Sequence, residues 1–269
     1  MRKAVISLFA YSFVAVAVFT VQTHAQPAGN TKAPAKANPL DKGDFKVGFP
    51  PGFPGKKPMN ADDKAGLQGI ADSLNGVIAL PKNVYLNVDQ CGEANAFYES
   101  ESSQIKICYE LLDQFEDEFK TITKDPVKVE NMVEDTLVQT LFHELGHCLI
   151  DVWDLPATGR EEDAVDQLAT VIMLDGTPSG QASAINAALE FKIASENETK
   201  DDMLFWDEHS FSATRFYDML CLVYGSNPQK NGRLVGANGL PQERAERCDT
   251  EYKRANHAWL KLLSPYILN

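Results

Sequence analysis

Residues 138–152 read VQTLFHELGHCLIDV. On a helix that advances 100° per residue, five apolar residues lie within about 60° of Leu145: Val138, Leu141, Phe142, Leu149 and Val152. His143 and His147 fall close to the opposite side of the same helix. The stretch therefore predicts a helix, over about 127–153, that buries one apolar stripe and points two histidines away from it.

The two histidines have the spacing of a metal site. Residues four apart on a helix lie one above the other, so the His143 and His147 side chains can share one ion. Glu144 lies about 100° round from His143, where it can reach a water on the metal without being a ligand. A catalytic zinc also needs a third protein ligand and an open position. No histidine follows six residues after His147, because Trp153 stands there.

Carboxylates that follow this helix are the candidates for the third ligand. Residues 159–167 read GREEDAVDQ, and Glu162 and Asp166 are four apart on the next predicted helix. One can bind the metal while the other accepts a hydrogen bond from a ligand histidine. We rank Glu162 first, then Asp163, then Glu161. The alternative is that the acidic run only stabilises a helix N-terminus through the macrodipole.

The remaining patterns predict an α+β fold, a small antiparallel sheet followed by a mostly helical, zincin-like catalytic domain. A helix over 61–74 precedes three strands, at 84–88, 95–98 and 105–108. Past the strands, apolar spacing predicts helices almost to the end of the chain; they lie near 109–121, 127–153, 160–174, 180–196, 209–224 and 241–262.

The N-terminal residues predict export. Residues 1–25 combine a basic start, an apolar run and a Thr23-His24-Ala25 exit, which is typical of a cleaved signal peptide. The alternative is an uncleaved anchor, since the run nearly reaches the roughly 18 to 20 residues that span a bilayer. Residues 26–58 are rich in Pro, Gly, Lys and Ala, and predict a flexible tether without core residues. Residues 59–269 then form one metallopeptidase domain in the periplasm or outside the cell.

Charge and cysteines agree with such a location. Net charge is −13, and it becomes −15 when the segment with Arg2 and Lys3 is removed. Such acidity argues against nucleic acid and anionic lipid as partners, and after signal cleavage we expect no stable membrane insertion. Five cysteines predict the disulfides Cys91–Cys108 and Cys221–Cys248, with Cys148 unpaired inside the motif helix.

Two resemblances extend these residue patterns. His143-Glu144-x-x-His147 followed by Glu162-x-x-x-Asp166 resembles the glutamate-zincin (gluzincin) pattern of thermolysin-like peptidases. The stretches FHELGH, DLP and GREED, with later FY and LC pairs, are similar to a bacterial metallopeptidase family designated as a domain of unknown function, DUF4344. The similarity covers roughly residues 80–269. The family adds little about substrate.

The gluzincin resemblance implies two further roles. Residues 105–108 occupy the place of the edge strand that binds the peptide substrate by β-addition. A downstream histidine or tyrosine usually stabilises the oxyanion, and His209 is the best match, with Tyr217 as the alternative. As a lone histidine before a helix, His209 could equally be a cap or a surface residue.

Together these patterns predict an exported, monomeric metallopeptidase that uses Zn²⁺ bound by His143, His147 and Glu162 to hydrolyse a peptide or protein substrate. Glu144 would be the general base. The competing hypothesis is a non-catalytic zinc-containing binding or scaffold module of the cell envelope. Glu144 argues against it, because a structural zinc needs no general base. A third possibility is hydrolysis of a cell-wall peptide cross-link.

Overall fold

The computed structural model describes residues 38–48, 61–199 and 204–268, with the side chains of 61–63 excepted. The predicted signal peptide, residues 1–25, lies outside the described residues, as does most of the predicted tether. Within the described ranges, the protein combines a small sheet with helices that make up most of the chain. The predicted α+β class is confirmed.

In the described residues, the sheet has four strands: β1 (Phe45–Gly48), β2 (Val84–Asp89), β3 (Ala96–Glu99) and β4 (Gln104–Cys108). Their order is β1-β2-β4-β3; β2 pairs in parallel with β1 and β4, and β3 pairs antiparallel with β4. The prediction of an antiparallel sheet is therefore wrong except for the β3–β4 hairpin. Parallel neighbours need a crossover, and α1 (Ala61–Asn75) supplies it between β1 and β2.

Strand β4 is interior, since it has β2 on one side and β3 on the other. The prediction that residues 105–108 form an edge strand for a substrate is therefore wrong. The sheet edge next to β4 is β3, which turns back through Ser103 in a left-handed conformation with φ of 53°.

Residues 38–48 correct the tether prediction. Strand β1 lies in this range, and Phe45 is only 1% exposed in the main hydrophobic core. The Asn75 side chain at the end of α1 fixes the strand, because it accepts from the Phe45 amide at 2.6 Å and donates to the Phe45 carbonyl at 3.0 Å. The four residues of β1 are too short a run to show strand periodicity within a Pro- and Gly-rich segment.

Six helices follow the sheet in the described residues, close to the predicted segments. They are α2 (Tyr109–Ile122), α3 (Pro126–Trp153), α4 (Glu161–Met173), α5 (Pro178–Asn197), α6 (Ser212–Ser226) and α7 (Gln242–Leu263). Asp125 caps α3 by accepting from the Val127 amide at 3.1 Å, and Pro126 suits the first helical position. The helix ends at Trp153, and its C-cap residue Asp154 has a left-handed conformation with φ of 47°.

Helix α3 separates two hydrophobic cores. Its apolar stripe, including Leu141, Leu145 and Leu149, packs in the core that contains the sheet. A second core is built mainly from α5, α6 and α7. The opposite face of α3 meets α4, so the two motif histidines lie between helices rather than in a wide solvent cleft.

Both predicted disulfides, Cys91–Cys108 and Cys221–Cys248, are present. Cys148 is free and buried. In the described part of the chain, no helix is both long and apolar enough to cross a membrane.

Candidate metal centre

Helices α3 and α4 approach each other closely at Gly146. A Cβ atom on this glycine would lie 2.7 Å from the Cβ of Val165, well inside van der Waals contact. The glycine between the two histidines therefore allows α4 to pack directly over the motif. As a result, the first turn of α4, which carries three carboxylates, lies above His143 and His147.

Glu162 meets both motif histidines. Its Oε2 is 3.1 Å from Nε2 of His143, and its Oε1 is 3.3 Å from Nε2 of His147. The two Nε2 atoms are themselves 3.3 Å apart. Of the three predicted third ligands, Glu162 is the one whose carboxylate faces both Nε2 atoms.

His209 joins this group from the segment that precedes α6. Its Nε2 is 3.0 Å from Oε2 of Glu162, and its ring is stacked at 6.4 Å from that of His143. Ligand atoms of His143, Glu162 and His209 all lie within 4.8 Å of one another. We call His143, His147, Glu162 and His209 the four-residue cluster.

Each histidine of the cluster has a carboxylate on its other ring nitrogen. Nδ1 of His143 lies 2.8 Å from Asp166, so Asp166 can accept the hydrogen bond from a ligand histidine that the spacing predicted. Nδ1 of His147 lies 2.7 Å from Glu161, and Nδ1 of His209 lies 3.2 Å from Asp207. Such contacts favour the tautomer with the proton on Nδ1 and the Nε2 lone pair directed at the cluster. The sequence did not reveal the contacts of Glu161 and Asp207.

The cluster favours positive charge. Burial lowers the pKa of His143, but the adjacent carboxylates of Asp166 and Glu162 outweigh burial and raise the pKa to about 9. The pKa of His147 is likewise raised against the effect of burial, by Glu162 and Glu161. Burial alone would raise the pKa of Glu162, yet three histidines hold it far below its usual range. The same carboxylates would attract a metal cation, which would displace the protons from the histidines on binding.

Two other predicted site residues lie elsewhere. The Asp163 carboxylate accepts a hydrogen bond from the Ser210 hydroxyl at 2.7 Å, so it is directed at the segment before α6. Tyr217 is 39% exposed on α6, and its ring contacts that of Phe216. Among the described residues, Tyr217 forms no hydrogen bond to the cluster.

Glu144 lies beside the cluster on the side of strand β3. Its side chain is buried, and burial raises the pKa of the carboxyl above its usual value, although His143 and His147 oppose this rise. A hydrogen bond with the backbone of Tyr98 also lowers its pKa. Because Tyr98 belongs to β3, this edge strand runs along the candidate site.

The donor set fits a zinc ion. With Zn–N and Zn–O distances of about 2.0 to 2.2 Å, ligand atoms at tetrahedral positions lie about 3.3 to 3.5 Å apart. The distances of 3.1 and 3.3 Å from Glu162 to the motif histidines are close to that separation. Oε2 of Glu162 is buried and finds no hydrogen-bond partner among the described residues, although two imidazole nitrogens lie near it. A cation between these atoms would satisfy this oxygen.

Sequence reasoning missed Arg215 and Gln139. Arg215 donates from Nε and Nη2 to Asp166 at 2.7 and 2.8 Å, and the Gln139 amide lies 3.4 Å from the same carboxylate. One signal was available, because Arg215 shares a helical face with Met219 and Leu222, at spacings of four and seven. A lone cation on an apolar stripe indicates a buried acidic partner.

A family model described as "Putative metallopeptidase", DUF4344, matches residues 57–263. The chain belongs to this family. The match confirms the resemblance seen in the motif residues and extends it N-terminally from about residue 80. No curated protein and no solved structure gave a significant match to this chain. Membership of DUF4344 together with the cluster supports a metal site and a peptide substrate at the level of the family.

Proposed function

We propose that this protein is a zinc-dependent metallopeptidase in which His143, His147 and Glu162 hold the metal. The observation that carries the proposal is the Glu162 carboxylate, which lies within 3.3 Å of Nε2 of both motif histidines while Glu144 stays outside the set. Two imidazoles and one carboxylate form the ligand set of several zinc hydrolases. When bound, zinc would lower the pKa of a coordinated water toward 7 and polarise the scissile carbonyl.

Glu144 supplies the proton transfers in this mechanism. Its carboxylate takes a proton from the attacking water and passes it to the leaving amine. The raised pKa that burial gives Glu144 suits both steps, since a base closer to neutrality also returns the proton readily. His209, whose pKa Glu162 raises above its usual value, donates from Nε2 in its protonated form to the substrate oxygen as negative charge develops on that oxygen. Asp207, 3.2 Å from Nδ1 of His209, orients that ring.

Strand β3 is the proposed docking strand for the peptide. It is the edge of the sheet next to α3, and the Tyr98 backbone already contacts Glu144. An extended peptide added beside β3 would carry its scissile bond past Glu144 and the cluster. This assignment replaces the role that the sequence suggested for β4.

We also propose that the protein is exported to the periplasm or the outside of the cell. The sequence of residues 1–25 supports this location, as do two disulfides, which persist in oxidising compartments. We expect the mature chain to act as a monomer.

The second candidate function is a non-catalytic zinc-containing module. One observation favours it: Nε2 of His209 lies 3.0 Å from Glu162, so four protein donors converge, as structural zinc prefers. The buried Glu144 favours the enzyme, because burying an ionisable side chain is costly and a closed structural site would gain nothing from it.

The test uses the mature protein, residues 26–269, with zinc content and hydrolysis of a fluorogenic peptide library as readouts. We expect Glu144→Gln to abolish hydrolysis while one zinc stays bound, and Glu162→Gln to lose both. Glu130→Gln is the matched control, since it lies on the same helix about 20 Å away and should change neither. Hydrolysis by Glu144→Gln at the wild-type rate contradicts the mechanism. Zinc without any cleavage by the wild-type protein supports the module.

A further inference from the structure

Arg215 forms a two-point contact with the carboxylate that supports His143. Its Nε lies 2.7 Å from Oδ2 of Asp166, and its Nη2 lies 2.8 Å from Oδ1. Arg215 lies in the first turn of α6 and Asp166 lies on α4, so the contact joins two helices next to the cluster. A guanidinium that donates twice to one carboxylate fixes the plane of that carboxylate as well as its position.

The same carboxylate carries the contact on to His143. Oδ1 of Asp166 is 2.8 Å from Nδ1 of His143 and 3.4 Å from the amide nitrogen of Gln139. Both oxygens of Asp166 therefore have nitrogen donors on them, which prevents the carboxylate from rotating. His143 is then held with Nδ1 protonated and the Nε2 lone pair toward Glu162 and His147.

The surroundings of Arg215 select a planar cation. Its guanidinium carbon lies 4.1 Å from the centre of the Phe191 ring, so one face of the group is covered by an aromatic side chain. A lysine could retain the charge, but it could neither stack as a plane nor donate at two fixed points. Arg215 is also largely buried, with a side-chain exposure of 18%, and loss of the cation would leave Asp166 as an uncompensated buried charge.

We infer that Arg215 is a positioning residue of the metal centre, which orients Asp166 so that Asp166 fixes His143 for metal binding. The inference rests on the proposed function. It goes beyond that function because it assigns a role in metal affinity to a residue of α6 that donates to Asp166 and not to a proposed metal ligand. The alternative is that the Arg215–Asp166 contact only joins α4 to α6. It would then stabilise the fold without changing zinc affinity in the folded protein.

A double-mutant cycle separates these two roles. The variants are Arg215→Lys, Asp166→Asn and their combination, with zinc Kd measured by competition against a chromophoric chelator. Unfolding of the metal-free proteins is measured in parallel. We expect each single variant to raise the zinc Kd by about 10- to 100-fold, as supporting residues of zinc ligands commonly do. The double variant should be no worse than the weaker-binding single variant, because Arg215 acts through Asp166.

Arg244→Lys is the matched control. Arg244 also pairs with carboxylates, Asp218 at 3.0 Å and Glu251 at 2.7 Å, but these lie on α6 and α7 away from the cluster. Its substitution should leave the zinc Kd unchanged. If the single variants fail to fold, the neutral pair Asp166→Asn with Arg215→Gln replaces both charges at once, which avoids an uncompensated buried ion. That protein should fold and still bind zinc about 10- to 100-fold more weakly.

Three results would overturn the inference. The first is a zinc Kd for Arg215→Lys, or for the neutral pair, equal to that of the wild type. The second is a double variant whose increase in zinc Kd equals the product of the increases in the two single variants. The third is a wild-type protein that binds no zinc, which also refutes the proposed function. A wild type that binds zinc but cleaves no peptide refutes the enzyme alone, because the comparison of zinc Kd values still tests Arg215.

Discussion

In both the α3–α4 interface and the α6–α7 interface, a glycine lets the two helices pack closely, yet the side chains around the two glycines differ. A Cβ on Gly146 would lie 2.7 Å from Val165, and one on Gly225 would lie 2.1 Å from the Cys248 carbonyl oxygen. Behind Gly225, α6 and α7 share a disulfide and apolar residues of the second core. Behind Gly146, the space is filled with imidazoles and carboxylates.

This difference indicates what each interface contributes. Apolar contacts and a disulfide stabilise the folded state directly. Buried ionisable groups cost desolvation, which their mutual attraction offsets only when the geometry is good. Under the proposed function, α6–α7 serves stability and α3–α4 serves the metal. Substitutions at the first interface should change unfolding, and substitutions at the second should change zinc binding or turnover.

Among the tests of this comparison, the largest effect is expected at His209, the cluster member that belongs to neither α3 nor α4. His209→Ala should lower kcat by about 100- to 1,000-fold, the usual cost of removing a donor to a developing oxyanion. Zinc Kd should stay unchanged, because three ligands remain. His257→Ala, on the exposed side of α7, is the control and should alter neither quantity. Weaker zinc binding by His209→Ala would instead make His209 a fourth ligand and favour the non-catalytic module.

The two glycines test the comparison directly. Gly146→Ala and Gly225→Ala should each lower the free energy of unfolding by about 1 to 3 kcal/mol through overpacking. Only Gly146→Ala should also raise the zinc Kd, since it pushes α4 and Glu162 away from the histidines. Urea unfolding in EDTA and chelator competition measure the two quantities. Gly69→Ala, on α1 with open space around it, should instead stabilise the protein by about 0.5 to 1 kcal/mol.

Equal zinc affinity in the Gly146 and Gly225 variants would contradict the different roles assigned to the two interfaces. It would mean that Glu162 can follow the motif helix when α4 moves, so that the close approach at Gly146 serves packing alone.

Residue spacing predicted most helices and several residues of the cluster. These features depend on residues within one or two helical turns of one another, which the sequence shows directly. His143, His147, Glu162 and Asp166 lie on two consecutive helices, and their i, i+4 spacing indicated which side chains could meet. Glu161 was ranked last because it has no acidic residue one turn later. Its contact with His147 depends on where the first turn of α4 lies over α3, and that placement is a tertiary property.

Longer-range features were not predictable in the same way. Arg215 reaches Asp166 across 49 residues, and only its position on an apolar stripe suggested a buried partner. Strand β1 contributes Phe45 to the core from a segment whose composition resembles a linker. The interior position of β4 follows from a parallel crossover, which alternation of apolar residues cannot reveal.

The smallest effect is expected at Glu190 on α5. This residue tests whether a buried charge near the candidate metal centre supports metal binding or only lowers stability. Burial and the adjacent Glu118 carboxyl raise the pKa of Glu190 to about 8, although Arg215 opposes this. Between its usual value and 8, the folded protein keeps a proton that the unfolded chain releases. Folding stability from this group therefore falls as pH rises through that window.

Glu190→Gln removes this ionisation and should stabilise the metal-free protein at pH 8 relative to pH 5. We expect this gain to grow steadily between pH 5 and pH 8, because ionised Glu190 is the form that burial and the Glu118 carboxyl disfavour. Urea unfolding in EDTA at both pH values measures the gain. Glu196→Gln, on the same helix with a side chain 66% exposed, should show none. If Glu190→Gln instead weakens zinc binding at pH 7, Glu190 also contributes to the metal site. The set of charged residues that supports metal binding would then include α5 as well as Arg215 of α6.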